Sequence, residues 1–270
     1  MSHSLAHTLV LIGAGGVATQ LGIALQQKGF CIRQVYSRTE TAARSLGEKL
    51  GVPFTTSLQA HPQADIYLVA VSDDALPEVI PAVTAGQADA LYIHTAGSVP
   101  MEVWKGYAAR CGVLYPLQSL SKSITPDFST LPFFIEANNP ADAELLKELA
   151  ATLSTHVYTA TSEQRKWIHL SAVFACNFTN HLYAVAAKLM QEHGLPFEAL
   201  LPLIDETARK VHTLPPVVSQ TGPAAREDRQ VMQKQIQLLA SDKELAGLYE
   251  RLSAHIIEYA HLYNNQTTKQ

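Results

Sequence analysis

The sequence is poor in cysteine: Cys31, Cys111 and Cys176 are an odd, widely spaced set with no CxxC pair. That excludes a disulfide framework and a clustered zinc site, and no metal site is expected. An excess of positive charge is also missing. Twenty Lys and Arg stand against 24 Asp and Glu, a net charge of −4, with no basic run, so no nucleic-acid partner is expected. No apolar stretch approaches the ~20 residues that span a bilayer. The stretch from Leu9 to Ala18 has no basic residues before a signal-like core and is interrupted by three glycines. The expectation is a soluble, cytoplasmic protein with no membrane partner. Repeats and low-complexity tracts are absent as well, and a chain 47% hydrophobic and 16% charged is expected to fold nearly throughout.

The first 160 residues alternate short apolar runs with helical patterns. Thr8 to Ile12, Cys31 to Tyr36, Pro53 to Thr56, Asp65 to Val71, Ala90 to His94 and Gly112 to Tyr115 read as strands, several apolar enough to be buried on both faces. Leu131 to Glu136, a helix over Ala141 to Leu153, and His156 to Tyr158 read as an extension of the same sheet. Strands alternating with helices predict an α/β fold with a doubly wound parallel Rossmann-type sheet. From Ser162 to His193 neither proline nor glycine interrupts a long helical pattern, with Ser162-Glu163-Gln164 as its capping region. Helices follow at about 197–212, 224–240 and 242–264, with a loop from Thr213 to Pro223. The expected domains are therefore residues 1–160, dinucleotide-binding, and 161–270, a separate all-α domain for substrate and dimerisation.

Gly13-Ala14-Gly15-Gly16-Val17-Ala18 joins the first strand to the first helix. Gly13 permits the tight turn, Gly15 lets backbone approach a pyrophosphate, and Ala18 lets the helix pack close to the strand. The helix N-terminus then holds phosphate. The second strand ends in Val35-Tyr36-Ser37-Arg38-Thr39, where an NAD enzyme usually carries an acid for the ribose hydroxyls. Arg38 instead offers a fork to a 2′-phosphate, with the Ser37 and Thr39 hydroxyls beside it, which favours NADP, as NADPH, over NAD. The same three residues would also serve simply to cap the next helix.

Ser72 and Asp73 end the fourth strand and either border the nicotinamide ribose or cap the following helix. His94, Ser98, Gln118 and Ser119 follow later strands and are expected to line the same cleft. On the long helix an apolar stripe of Trp167, Leu170, Phe174, Phe178, Leu182, Val185 and Leu189 runs beside a polar sector. Counted at 100° per residue, Lys166, His169, Asn177 and Asn180 fall within roughly 80°. His169 is the candidate proton donor and Asn177 the candidate orienting group for hydride transfer to a small-molecule substrate. Arg226 is a candidate clamp for a substrate carboxylate, or a salt-bridge partner.

With these motifs the chain resembles the Rossmann-like plus DUF2520 group of NADP oxidoreductases. That group lies within the superfamily of β-hydroxyacid dehydrogenases and pyrroline-5-carboxylate reductases. The likeness rests on Gly13 to Ala18, Ser37 to Thr39, His94 to Ser98, Tyr115 to Ser119, His169 with Val173 to Asn177, and Thr221 to Arg226. It implies an oxidoreductase acting on a small carbonyl, hydroxy or imine compound, and a homodimer through the helical domain. A non-catalytic NADP-binding sensor or regulatory protein, and an F420-linked NADP reductase, are the alternative readings. Val173 stands where dehydrogenases of the superfamily carry a lysine, and Tyr115 where the closest group often has histidine.

Overall fold

The computed structural model describes residues 7–267. β1 (Thr8–Ile12) is a run of aliphatic residues that stops at Gly13, and α1 (Gly16–Gln27) begins three residues later. The alternation continues through β2 (Cys31–Tyr36), α2 (Glu40–Leu50), β3 (Phe54–Thr55), β4 (Ile66–Val69), α3 (Leu76–Val83), β5 (Leu91–His94) and β6 (Arg110–Pro116). β7 (Phe133–Ala137), α4 (Pro140–Leu153) and β8 (Val157–Thr159) complete an eight-stranded sheet of order β3-β2-β1-β4-β5-β6-β7-β8.

Because side chains alternate along a strand, each strand feeds two cores. Leu9, Leu11 and Leu68 pack with α1, α2 and α4 on one face, while Val10, Ile12, Tyr67 and Tyr92 pack with α3 and Trp104 on the other. All pairings are parallel except β6 with β7, which is antiparallel, so the expected Rossmann-type sheet is mostly parallel with one antiparallel pair. The reason lies in the connection. A parallel neighbour needs a crossover, whereas residues 117–132 hold only a short 3₁₀ turn at Phe128–Thr130. The chain therefore turns back at the carboxyl edge, and this whole segment stays on the ligand side of the sheet.

The strand registers align that edge. Ile12 pairs with Val69, Val69 with His94 and His94 with Val113, which brings the residues after β1, β4 and β5 to one level beside the end of β6.

After β8 the chain enters α5 (Ser162–Ala172), a π-helical turn (Val173–Phe178) and α6 (Thr179–Glu192). Thr161, rather than the following three residues, is the cap: its side chain accepts from Gln164 N, and the Gln164 side chain returns to Thr161 N. α7 (Leu201–Lys210), α8 (Pro216–Ser219), α9 (Arg229–Leu238) and α10 (Lys243–Thr267) follow, α8 being a short helix within the expected loop 213–223. The described residues form two compact units, divided between His181 and Leu182 within the long helix. α5 stays with the sheet because Arg165, fully buried, donates to Glu136 on β7 at 2.5 Å and to the Val99 carbonyl at 2.6 Å. Ser162 adds hydrogen bonds to the same carboxylate.

Candidate active site

The glycine turn has the geometry its residues require. Gly13 takes φ +121°, donates to the Tyr36 carbonyl at 2.8 Å, and lies so close to the Ala70 carbonyl that a side chain would overlap it. Ala14 and Ala18 are buried against the core, and Val17 packs on it partly exposed. Gly15 sits at the N-cap of α1 with no side-chain cap, no acid in the first turn, and open space where its Cβ would stand. Unsatisfied first-turn N–H groups facing an open, acid-free slot fit the pyrophosphate of a dinucleotide. Gly16 has a separate reason to be glycine: it packs against the Leu120 backbone, from the segment between β6 and β7.

At the end of β2, Thr39 occupies the N-cap of α2, yet its side chain makes no capping bond. The Arg38 side chain is exposed and has no hydrogen bond or ion pair among the described residues, whereas the neighbouring Arg44 is held by Glu40 at 2.7 Å. An unengaged guanidinium with two hydroxyls beside it fits a phosphate ester at this edge.

Beyond β4, Ser72 precedes a 3₁₀ turn (Asp73–Ala75) without capping it through its side chain. The Asp73 carboxylate instead accepts a short hydrogen bond from the Ser98 hydroxyl, tying the ends of β4 and β5 together. Next to Ser98, Gly97 lies against two rings. A Cβ there would stand 2.7 Å from Tyr115 Cζ and 2.8 Å from His169 Nδ1. Tyr115 Oη and His169 Nδ1 are 3.1 Å apart and hydrogen-bonded. Burial, and secondarily the Asp73 charge, push the Tyr115 phenol above its ordinary range, so it stays protonated.

His94 is placed differently from its expected role. It is fully buried beneath this edge, stacked on Trp104, with Nδ1 accepting from Ala96 N at 3.2 Å. Burial, helped by nearby Arg165, lowers its pKa to about 3, which makes it a neutral core group rather than a cleft residue.

A cleft of 220 Å³ is lined by Tyr115, Leu117, Gln118, Ser119, His169 and Asn177, with Ala172, Val173 and Cys176 between the last two. His169 and Asn177 thus share it, but Lys166 and Asn180 do not. Lys166 pairs with Glu163 at the surface, and Asn180 is exposed. The π turn explains why Asn177 and not Asn180 joins His169. It takes up about one extra residue, rotating everything beyond it back by about 100°. That moves Asn177 to within about 20° of His169 and swings Asn180 away from Lys166. Arg226 lies in the second unit, exposed, in a 3₁₀ turn (Ala224–Arg226) followed by Glu227 at φ 52°. No group of three or more His, Cys, Asp or Glu that could hold a metal occurs among the described residues.

Tyr115, Gly97 and Arg165 lay outside the candidates drawn from sequence. The signal available for the first two was position: Tyr115 stands near the end of one apolar strand, in Tyr-Pro, and Gly97 comes shortly after another, in Ala-Gly-Ser. Arg165 had none, since a basic residue in a helix is ordinarily solvated.

The family described as NADP oxidoreductase coenzyme F420-dependent matches residues 8–97, and the domain of unknown function DUF2520 matches residues 131–256. The Bacteroides fragilis protein BF3122, described as a putative NADP oxidoreductase, is 51% identical with a TM-score of 0.90, covering 94% of this chain and 98% of its own. A pyrroline-5-carboxylate reductase from Coxiella burnetii shares the fold at 17% identity and a TM-score of 0.58, over 95% of this chain and 98% of its own. An imine reductase from Myxococcus stipitatus does so at 18% identity and 0.57, over 96% and 95%. No curated protein matches. No described helix is long and apolar enough to cross a membrane.

Proposed function

Because this chain belongs to the family that joins an NADP oxidoreductase domain of the coenzyme F420-dependent type to a DUF2520 domain, we propose that it reduces a small carbonyl or imine with NADPH. The observation that carries the reaction is the Tyr115–His169 hydrogen bond at the wall of the cleft beside the strand ends. Pyrroline-5-carboxylate and imine reductases with the same fold support a C=N substrate, and the cleft's volume suits a small one.

Bound NADPH supplies a hydride to the substrate carbon. Gly13 to Ala18 hold the pyrophosphate, Ser37, Arg38 and Thr39 take the 2′-phosphate, and Ser72 and Asp73 border the nicotinamide ribose. His169, acting as the protonated imidazole, donates Nδ1–H to the Tyr115 hydroxyl, which orients the ring, and carries a second proton on Nε2 whose loss leaves a neutral imidazole. As the carbon receives hydride, that proton passes to the substrate oxygen or nitrogen, so the double bond becomes C–H and O–H or N–H. Asn177, on the same helix face, orients the acceptor through its side-chain amide, and Gln118 and Ser119 contact the remainder of the substrate.

We infer as well that the functional particle is a homodimer. Within the second unit Ala224 is the sole buried hydrophobic among the described residues, while Leu203, Leu238 and Tyr259 are well exposed. The Trp167, Leu170, Phe174 and Phe178 stripe is exposed too. Helices without an interior need one from elsewhere, and a second copy with the same apolar faces supplies it.

The test is NADPH oxidation against a panel of cyclic imines and small aldehydes and ketones. Turnover that is lost in His169→Ala supports the reading. NADPH binding without turnover of any class favours a binding protein, a reading to which Val173 in the cleft wall lends weight.

A further inference from the structure

The segment after β6 packs beside the N-terminus of α1, and nothing in the glycine-turn motif announces it. Three observations place it there. The Leu120 backbone rests on Gly16, the first residue of α1, at a distance no side chain would allow, and Ser121 Cα lies 3.3 Å from that same Cβ position. One helical turn further on, Gln20, buried although polar, points its amide at this segment. Its Nε2 donates to the Ser121 carbonyl at 2.7 Å and to the Ile124 carbonyl at 3.0 Å. The Ser121 hydroxyl accepts from Ile124 N at 3.2 Å, closing the segment into a turn. Gly15, by contrast, faces open space. The segment thus lies over one side of the α1 N-terminus and leaves the other side open as a slot.

The chemistry of the wall is one-sided. Ser119-Leu120-Ser121-Lys122-Ser123 carries three hydroxyls and one cation and no acid. Lys122 is exposed and has no ion pair or hydrogen bond among the described residues. A fixed, acid-free, hydroxyl-rich turn with one unengaged ammonium, set beside a helix N-terminus in a domain of the NADP oxidoreductase family, is suited to a diphosphate.

Resting on the reading of Gly13 to Ala18 as the NADP(H) site, we propose that residues 119–123 form the outer wall of the pyrophosphate site. Lys122 contacts the diphosphate, and Gln20 and Gly16 are positioning residues that hold the wall in place. The pyrophosphate is common to NADP and NAD, whereas the 2′-phosphate is not. The two contributions therefore separate in one experiment.

Dissociation constants for NADPH and NADH are measured by nucleotide fluorescence on the full chain and on Lys122→Ala, Gly16→Ala and Arg38→Ala, with melting curves as a folding control. Lys122→Ala, an exposed change that leaves the fold intact, raises both constants about tenfold and keeps their ratio. Gly16→Ala displaces the wall and weakens both nucleotides together, again without changing the ratio. Arg38→Ala changes the ratio. Wild-type affinity for both nucleotides in Lys122→Ala overturns the wall while leaving the cofactor assignment standing. So does a loss confined to NADPH, which would make Lys122 a 2′-phosphate contact. Failure of the wild-type chain to bind either nucleotide overturns both.

Discussion

The phenol of Tyr115 at the end of β6 and the imidazole of His169 on α5 meet at 3.1 Å, and Gly97 closes against both rings. Three elements distant in sequence converge on one proton-bearing pair. α5 is fixed for this purpose by the buried Arg165–Glu136 ion pair four residues before His169.

Removing either partner should lower turnover by different amounts. Loss of the proton donor in His169→Ala is expected to reduce kcat by about 10²- to 10⁴-fold, the range for general acid catalysis. Tyr115→Phe, which keeps the ring and loses the orienting bond, should cost less, about tenfold for one hydrogen bond. Because the Asp73 charge contributes to the raised phenol pKa, Asp73→Asn should move any alkaline limb that Tyr115 gives the pH–rate profile to lower pH. An unmoved limb would separate Asp73 from the pair.

Gly97→Ala should damage activity out of proportion to its size. Its backbone is not in a left-handed conformation, so the cost is steric, from a methyl driven into Tyr115 and His169. Overpacking of this kind costs about 1–3 kcal/mol and should appear as a modest fall in Tm with a larger fall in kcat. A variant with normal kcat would show that the two rings need not stay where they are.

Acid should destabilise the fold through His94. The buried ring titrates near 3, below its ordinary 6.5, so between these values the unfolded chain binds a proton that the folded chain refuses. Stability from this group is whole above about pH 6.5 and falls by about 1.4 kcal/mol per pH unit below it. Urea unfolding at pH 7 and pH 5 should differ by about 2 kcal/mol more for the wild type than for His94→Gln. Equal differences would contradict the assignment.

Sedimentation velocity at micromolar concentration should give twice the chain mass. Introducing charge into the exposed stripe with Phe174→Glu should weaken association, and lose stability with it, since the second unit buries so little alone. A stable wild-type monomer would refute the dimer.

Most of the sheet was legible because its strands are apolar runs that end at turn residues; β1 and β2 have the bounds the pattern predicts. The direction of β7 was not, since an apolar run reads alike either way and only the missing crossover decides it. His169 and Asn177 could be found as polar residues on an apolar helix. Excluding Asn180 required the π turn, which a 3.6-residue count does not contain. The partner of His169 is 54 residues away, and no local pattern records a contact of that kind. His94, conspicuous at the end of a strand, points into the core because residues at a strand end still alternate between faces.

The central claim is an NADP(H) site built from the glycine turn and Arg38, and nicotinamide fluorescence in a titration with NADPH tests it most directly. The account predicts saturable binding to the wild-type chain, with Arg38→Ala weakening NADPH about tenfold or more while leaving NADH nearly unchanged. No saturable binding at millimolar NADPH, or an equal loss for both nucleotides in Arg38→Ala, would contradict it.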